Sequence, residues 1–141
     1  MRGFILGKMF RLLAFILVVT TLLFAVVGCG ARTPDTLTVN LIFASGDLDI
    51  QVLEPGDSMT WGPSDVTPNG SVSEDQQSGG TETYTLAASH VSGNYQFGYD
   101  SHTSAPLDYT LEVIKNGVAT NYTGTAAPDA GDTWVVTVPI N

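Results

Sequence analysis

The sequence predicts an all-β fold: an antiparallel two-sheet β-sandwich, jelly-roll-like, of about eight strands, preceded by an N-terminal signal helix. From residue 36 onward, apolar side chains recur at every second position, which is the period of a strand with one buried face. Turn-forming residues return about every 8 to 12 residues, and after residue 29 no segment has the apolar spacing of an amphipathic helix. This combination is typical of a sandwich and less typical of a small barrel.

The first 28 residues differ from the rest of the chain and predict an export signal. Arg2, Lys8 and Arg11 form a positive leader, and residues 12–27 are an almost unbroken apolar run that ends in small residues. That order is typical of a signal peptide. A plain anchor helix is the alternative, because the run approaches the roughly 20 residues that cross a bilayer.

The end of this run, Val26-Val27-Gly28-Cys29, resembles the lipobox of bacterial lipoproteins. The resemblance implies a lipid on the Cys29 sulfur and cleavage after Gly28. Cys29 is the only cysteine, so no disulfide can form within one chain. Several acyl chains would hold the protein firmly at the bacterial membrane. The expected location is therefore the cell envelope, and the outer membrane if the source is double-membraned.

The predicted organisation is a signal peptide over residues 1–28, a tether over 29–35 and a single β-sandwich domain over 36–141. Residues 29–141 keep all 14 acidic residues but only Arg32 and Lys115 among the basic ones, a formal charge of −12. Nucleic acid and anionic lipid are then poor partners, because phosphate binding needs clustered Lys and Arg. The charge favours cations and basic surfaces, or serves solubility alone.

The individual strands follow from local patterns. Those predicted, in chain order, are residues 37–43, 47–52, 59–61, 82–86, 95–99, 107–113, 118–123 and 134–140. Residues 62–80 contain two prolines and four glycines and predict a long surface loop. Asn116-Gly117 is the strongest hairpin signal, because both positions of such a turn need positive φ. Pro139 predicts a sheet edge at the end of the last strand.

Two aspartates lie two positions apart in the second predicted strand. Asp47 and Asp49 share one face of that strand, while apolar side chains alternate with them on the other face. Neighbouring like charges repel, and calcium, which takes six to eight oxygens, would relieve that repulsion. Further carboxylates follow in and after the long loop: Asp65, Glu74, Asp75 and Glu82. A solvated strand face beside an acidic loop is the alternative.

The stretch "GDLDIQVLEPG" at residues 46–56 resembles the opening of bacterial pre-peptidase C-terminal domains and of the related YfaP-like envelope family. A glycine-rich loop containing Asp75 and leading to Glu82 follows in the order of the latter family, and then come strands matching residues 93–99 and 109–113. The resemblance covers roughly residues 37–122. Two departures are a turn one residue short at Pro55-Gly56 and Thr81 where proline is usual.

This resemblance implies a jelly-roll-like accessory domain that is noncatalytic and, in the pre-peptidase relatives, often stabilised by calcium. It implies a cation site formed by Asp47, Asp49, Asp75 and Glu82.

No enzymatic site is expected. The two histidines, His90 and His102, and a lipidated cysteine are too few for the usual zinc site or a Cys-His pair. Two other functions stay open. One is a carbohydrate-binding module at the cell surface, with Trp61 as an exposed stacking residue, and the other is an accessory domain of a hydrolytic system. A cell-surface protein or glycan is the corresponding partner.

Overall fold

The computed structural model describes residues 33–141, so the predicted signal peptide, Cys29 and most of the tether lie outside the described residues. Pro34–Asn141 forms one compact unit. Its strands are β1 Leu37–Phe43, β2 Leu48–Leu53, β3 Gly70–Val72, β4 Gly80–Leu86, β5 Gly93–Ser101, β6 Leu107–Lys115, β7 Val118–Ala126 and β8 Thr133–Ile140. No helix in residues 33–141 is long and apolar enough to cross a bilayer.

The eight strands form two antiparallel sheets, which confirms the predicted β-sandwich. One sheet has five strands in the order β3-β4-β1-β6-β7, and the other has three in the order β2-β5-β8. The core lies between them and is built from the alternating side chains of both sheets. Tyr95 and Phe97 are fully buried there and Tyr99 is 5% exposed, so the aromatic stripe of β5 belongs to the core.

Two of the predicted elements are wrong. Residues 59–61 are not a strand, because only Trp61 pairs, through two backbone hydrogen bonds of 2.9 and 2.8 Å with Val52. Residues 62–80 are not one loop, because Gly70–Val72 forms β3 at the edge of β4. That three-residue strand has no apolar alternation of its own, and the edge of β4 supplies the pairing that local sequence does not signal.

The β6–β7 turn and the β5–β8 pairing each depend on a glycine. Asn116 and Gly117 have φ of 52° and 78°, as the predicted two-residue hairpin requires. At Gly98 the register of β5 against β8 shifts, and a Cβ there would lie 2.0 Å from the Thr133 carbonyl oxygen. The backbones approach so closely at this bulge that only glycine fits.

The strand register defines two ends of the sandwich. The chain enters at Asp35, whose Oδ2 accepts a 2.9 Å hydrogen bond from the Asn141 amide, and Leu37 pairs with Lys115 at the same end. We call this the entry end; it comprises residues 33–36, 54–56, 87–92 and 116–117. The opposite end, which we call the acidic end, comprises the connections 44–47, 73–79, 102–106 and 127–132.

Candidate metal centre

Three of the predicted cation ligands converge at the acidic end. Asp47 lies in the turn between β1 and β2, Asp49 is the second residue of β2, and Asp75 lies in the connection between β3 and β4. One carboxylate oxygen of each lies within 4.8 Å of the other two. Asp47 and Asp49 are half-buried and Asp75 is exposed. Two turns and a strand end, distant in the chain, therefore bring together three negative charges.

The spacing of these oxygens suits calcium. Oxygens bound to one calcium lie about 2.3–2.6 Å from the ion, so two of them are at most about 5 Å apart. The observed limit of 4.8 Å falls within that span. Three carboxylates supply fewer than the six to eight oxygens that calcium takes, and water and backbone carbonyls commonly supply the rest.

One of the three carboxylates has a buried oxygen without a hydrogen-bond donor. Within the described residues, Oδ1 of Asp47 is the one buried side-chain polar atom that has no partner. A buried acceptor without a donor costs about 1–3 kcal/mol. Burial, followed by the nearby charge of Asp47, raises the pKa of Asp49, although His102 opposes that shift. Both features indicate that this end lacks positive charge.

Glu82, the fourth predicted ligand, lies beside this group and has a different set of partners. It is fully buried on β4. Its Oε2 accepts a 2.7 Å hydrogen bond from the Ile50 amide in the opposite sheet, and its Oε1 accepts a 2.9 Å bond from the Gln76 amide. Glu82 therefore ties the Asp75 connection to β2, and so holds Asp75 near Asp49.

Burial strongly raises the pKa of the Glu82 carboxyl. Removal from water, and to a smaller extent the charges of Asp49 and Asp75, raises the pKa of its carboxyl from 4.5 to about 7, against the effect of the two backbone hydrogen bonds. Asp49 and Asp75 thus make the ionised form of Glu82 more costly. A cation among them would have the opposite effect.

A second buried carboxylate, Glu54, was not singled out by the sequence. It directly follows β2 and accepts hydrogen bonds from the Thr67 hydroxyl, the Asn69 amide and side chain, and the Tyr84 hydroxyl, the last three at 2.9, 2.7 and 2.8 Å. Tyr84 belongs to the opposite sheet. Burial and then the bond to Glu54 raise the pKa of Tyr84. An acid just before a Pro-Gly turn was the available signal, but it is equally typical of an exposed turn.

Two further residues of the acidic end come close to Asp49. Nε2 of His102 lies 3.2 Å from Oδ2 of Asp49 and 3.6 Å from Oδ2 of Asp100. Asp100 is the register partner of Asp49 across β2 and β5. The His102 side chain is 52% exposed, so it can leave this position. A protonated His102 would compete with a bound cation for Asp49.

Trp61 does not have the exposure that sugar stacking would require. It is half-buried and packs against the core, and its indole N–H donates a 2.8 Å hydrogen bond to Asp57. Trp134, which is 39% exposed on β8, is the more accessible tryptophan. The carbohydrate-binding alternative therefore has no support from the position of Trp61. Cys29 lies outside the described residues, and its lipidation stays a prediction.

Comparison of the chain with protein-family models, with curated proteins and with solved structures gave no match. The resemblance to pre-peptidase C-terminal and YfaP-like domains stays a prediction.

The free energy of unfolding should decrease as the pH rises from 4.5 through 7 in the presence of a chelator. The pKa of Glu82 is about 7 in the folded chain and ordinarily 4.5, so the folded protein binds this proton more tightly than the unfolded one does. The stability that Glu82 contributes is therefore fully present below pH 4.5 and is lost as the pH rises through 7. Urea denaturation across this range measures the decrease.

In the Glu82→Gln variant, the free energy of unfolding should fall less steeply with pH. The slope should be smaller by up to about 1.4 kcal/mol per pH unit, which is the largest slope that the uptake of one proton can give. The matched control is Glu112→Gln, which removes a half-buried carboxylate bonded to Asn40 on the same sheet. If the control reduces the pH dependence as much as Glu82→Gln does, Glu82 is not its source.

Proposed function

We propose that this protein is a lipid-anchored lipoprotein of the bacterial cell envelope, and that its β-sandwich is a noncatalytic binding module stabilised by calcium. One observation carries the calcium site: Oδ1 of Asp47 is buried without a donor where Asp47, Asp49 and Asp75 converge. A bound cation would give that oxygen a partner and offset the three converging charges. Calcium is the cation that the oxygen spacing fits.

The ion would act on the connection between β3 and β4. Asp75 contributes its carboxylate from that connection, and the next residue, Gln76, is held by Glu82. Calcium would replace the repulsion among three carboxylates by attraction to a common centre. It would also favour the ionised form of Glu82, whose two hydrogen bonds need an acceptor on each oxygen. Ion binding and loop closure would therefore reinforce one another.

The arrangement of polar groups supports a noncatalytic role. Asp100, Ser101 and His102 are consecutive, yet the Ser101 hydroxyl lies 3.3 Å from the hydroxyl of Thr103 and shares a hydrogen bond with it. His102 approaches Asp49 and Asp100 instead. A nucleophile needs its base within hydrogen-bond reach. The depression beside this group, lined by Asp47, Gln77 and His102 among others, is open and about 440 Å³ in volume. Because it is open to solvent, it does not enclose a substrate as ligand pockets commonly do.

The envelope location rests on the N-terminal sequence. Val26-Val27-Gly28-Cys29 follows an apolar run and a positive leader, in the order that an exported lipoprotein needs. The strong negative charge of the domain agrees with a cation or a basic surface of another envelope protein as its partner.

Calcium should raise the midpoint of thermal unfolding. An ion that binds only the folded protein, at about a hundred times its Kd, stabilises it by about 2.7 kcal/mol, which is about 10 °C or more for a domain of this size. Asp47→Asn and Asp75→Asn should lose most of the increase, because each removes a converging charge. Thermal unfolding of each variant with millimolar calcium and with a chelator measures it.

Asp108→Asn and Asp129→Asn are the matched controls, because Asp129 lies at the acidic end and Asp108 lies beside it at the start of β6, both outside the group of three. They should keep the full increase. The calcium site is absent if millimolar calcium leaves the midpoint of the unsubstituted protein unchanged, or if controls and site variants respond alike.

Cys29→Ser should release the protein from membranes, because it removes the sulfur that would carry the lipid. Flotation of cell membranes on a density gradient, followed by mass measurement of the N-terminal peptide, checks both attachment and cleavage after Gly28. A Cys29→Ser protein that is still processed there and still floats would contradict the lipobox interpretation.

A further inference from the structure

Four strands form the edges of the two sheets, and three of them are protected against pairing with a further strand. β3 has only three residues and is followed outward by a single bridge to Val66. β2 contains the charged Asp49 and pairs through a single bridge with Trp61. β8 contains Pro139, which has no backbone N–H to donate. Short length, charge and proline are common protections of a sheet edge.

The fourth edge, β7, has none of these protections. Its nine residues, Val118–Ala126, contain no charged side chain and no proline, in a chain whose residues 29–141 carry a formal charge of −12. β7 pairs with β6 in one continuous register without a bulge, and six of its nine residues are exposed. It is therefore a long, regular edge with which a further strand can pair.

The β6–β7 hairpin determines which backbone groups of β7 face away from β6. A two-residue turn makes the residues that flank it, Lys115 and Val118, a hydrogen-bonded pair, so every second residue from Val118 onward bonds to β6. The residues between them direct their N–H and C=O groups outward, and these are Ala119, Asn121, Thr123 and Thr125. Within residues 33–141, no strand pairs with β7 on that side. An extended strand would satisfy these donors and acceptors.

An open apolar groove lies beside this edge, between β7 and β8. It has a volume of about 420 Å³, and its lining includes Val118 and Tyr122 of β7 and Val136 and Val138 of β8. Val118 is 68% exposed and Tyr122 is half-buried. Alternate side chains of a strand added to β7 would point to the groove side of the sheet. The edge therefore offers apolar contact as well as hydrogen bonds.

The β7 edge is complementary to a second copy of itself. Tyr122 is the central residue of the strand. When two β7 strands pair antiparallel about Tyr122, residue 119 lies opposite 125 and residue 121 opposite 123, so the outward groups of both strands meet. Two bonds for each of these pairs, counted in both strands, give about eight hydrogen bonds. Tyr122 then lies opposite its own copy on the groove side, and aromatic cross-strand pairs of this kind stabilise a sheet.

We propose that this protein forms a homodimer in which the β7 edges of two copies pair antiparallel about Tyr122 and join the two five-stranded sheets into one. A second copy fits this edge better than a basic partner does, because β7 carries no acid that such a partner could bind. The candidate calcium site lies on β2 and beside β4, away from the β7 edge. The dimer would leave it uncovered in both copies. This inference requires neither the calcium nor the lipid.

The first experiment introduces one cysteine into the full-length protein. Opposite residues of a close antiparallel pair have Cα atoms about 4.5 Å apart, within the range of about 4.4–6.8 Å that a disulfide needs. Tyr122→Cys should therefore form a disulfide-linked dimer under mild oxidation, measured on a non-reducing gel. Val118→Cys is the matched control, because it lies on the same face of β7 but about 27 Å from its own copy in this pairing.

The unsubstituted protein, whose one cysteine is Cys29, shows any dimer that forms through that residue. Tyr122→Cys should be mostly dimeric, and both the Val118→Cys variant and the unsubstituted protein should show several-fold less dimer. A Tyr122→Cys protein that stays monomeric, or a Val118→Cys protein that dimerises as fully, would overturn the proposal.

The second experiment changes one outward hydrogen-bond donor of β7. Thr123→Pro removes an N–H that faces away from β6, so no bond between β6 and β7 is lost with it. Thr123→Val changes the side chain and keeps the N–H. Sedimentation velocity in excess nonionic micelles, with a chelator present, measures the dimer Kd. Thr123→Pro should raise this Kd about tenfold or more, because each dimer loses the donor twice, and Thr123→Val should leave it nearly unchanged.

Salt distinguishes a second copy from a basic partner. Raising NaCl from about 0.05 to about 0.5 M screens the repulsion between two acidic copies, so the dimer Kd should fall several-fold, whereas a contact with a basic strand would weaken. A protein that sediments as a monomer at every concentration would overturn the proposal and leave the β7 edge to a strand of another protein. A dimer whose Kd responds equally to Thr123→Pro and Thr123→Val would overturn it as well.

Discussion

The described fold depends on two buried glutamates whose hydrogen bonds cross from one sheet to the other. Glu82 extends from the five-stranded sheet to the backbone of Ile50, and Glu54 extends from the end of β2 to the hydroxyl of Tyr84. Each also binds a segment of the long region between β2 and β4, Glu82 through Gln76 and Glu54 through Thr67 and Asn69. Buried carboxylates are costly unless their oxygens are satisfied, so each fixes its surroundings as a condition of folding.

The candidate calcium site follows from this arrangement. Within the described residues, the hydrogen bonds of Glu82 join the β3–β4 connection to β2. Without them, Asp75 would be free to move away from Asp47 and Asp49. The same proximity makes the ionised form of Glu82 unfavourable when no cation is present. The position of the β3–β4 connection, the ionisation of Glu82 and the binding of calcium are therefore coupled to one another. In this account calcium does little to shape the sandwich, whose core is apolar, but it determines how firmly one connection is closed.

Period-two alternation predicted the sandwich, the core stripe of Tyr95 and Phe97, and the separation of Asp47 from its apolar neighbours, because these features depend on local backbone geometry. The sequence did not reveal β3, whose pairing comes from the edge of β4. It also did not reveal that Asp100 and His102 approach Asp49, because strand register joins them across more than 50 positions. The hydrogen bonds of Glu54 and Glu82 between the two sheets could not be predicted either, because a Glu in or beside a strand is usually exposed.

Hydrogen exchange of the Gln76 amide reports whether Glu82 holds the β3–β4 connection, because Glu82 accepts the hydrogen bond of this amide. NMR with calcium and with a chelator should show strong protection of Gln76 in calcium, weaker protection in chelator, and loss of protection in Glu82→Gln. The Val52 amide, also on β2 but bonded to the Trp61 carbonyl and not to Glu82, should stay equally protected under all three conditions. Exchange of Gln76 at the rate of an unstructured amide under both conditions would mean that Glu82 does not hold the connection.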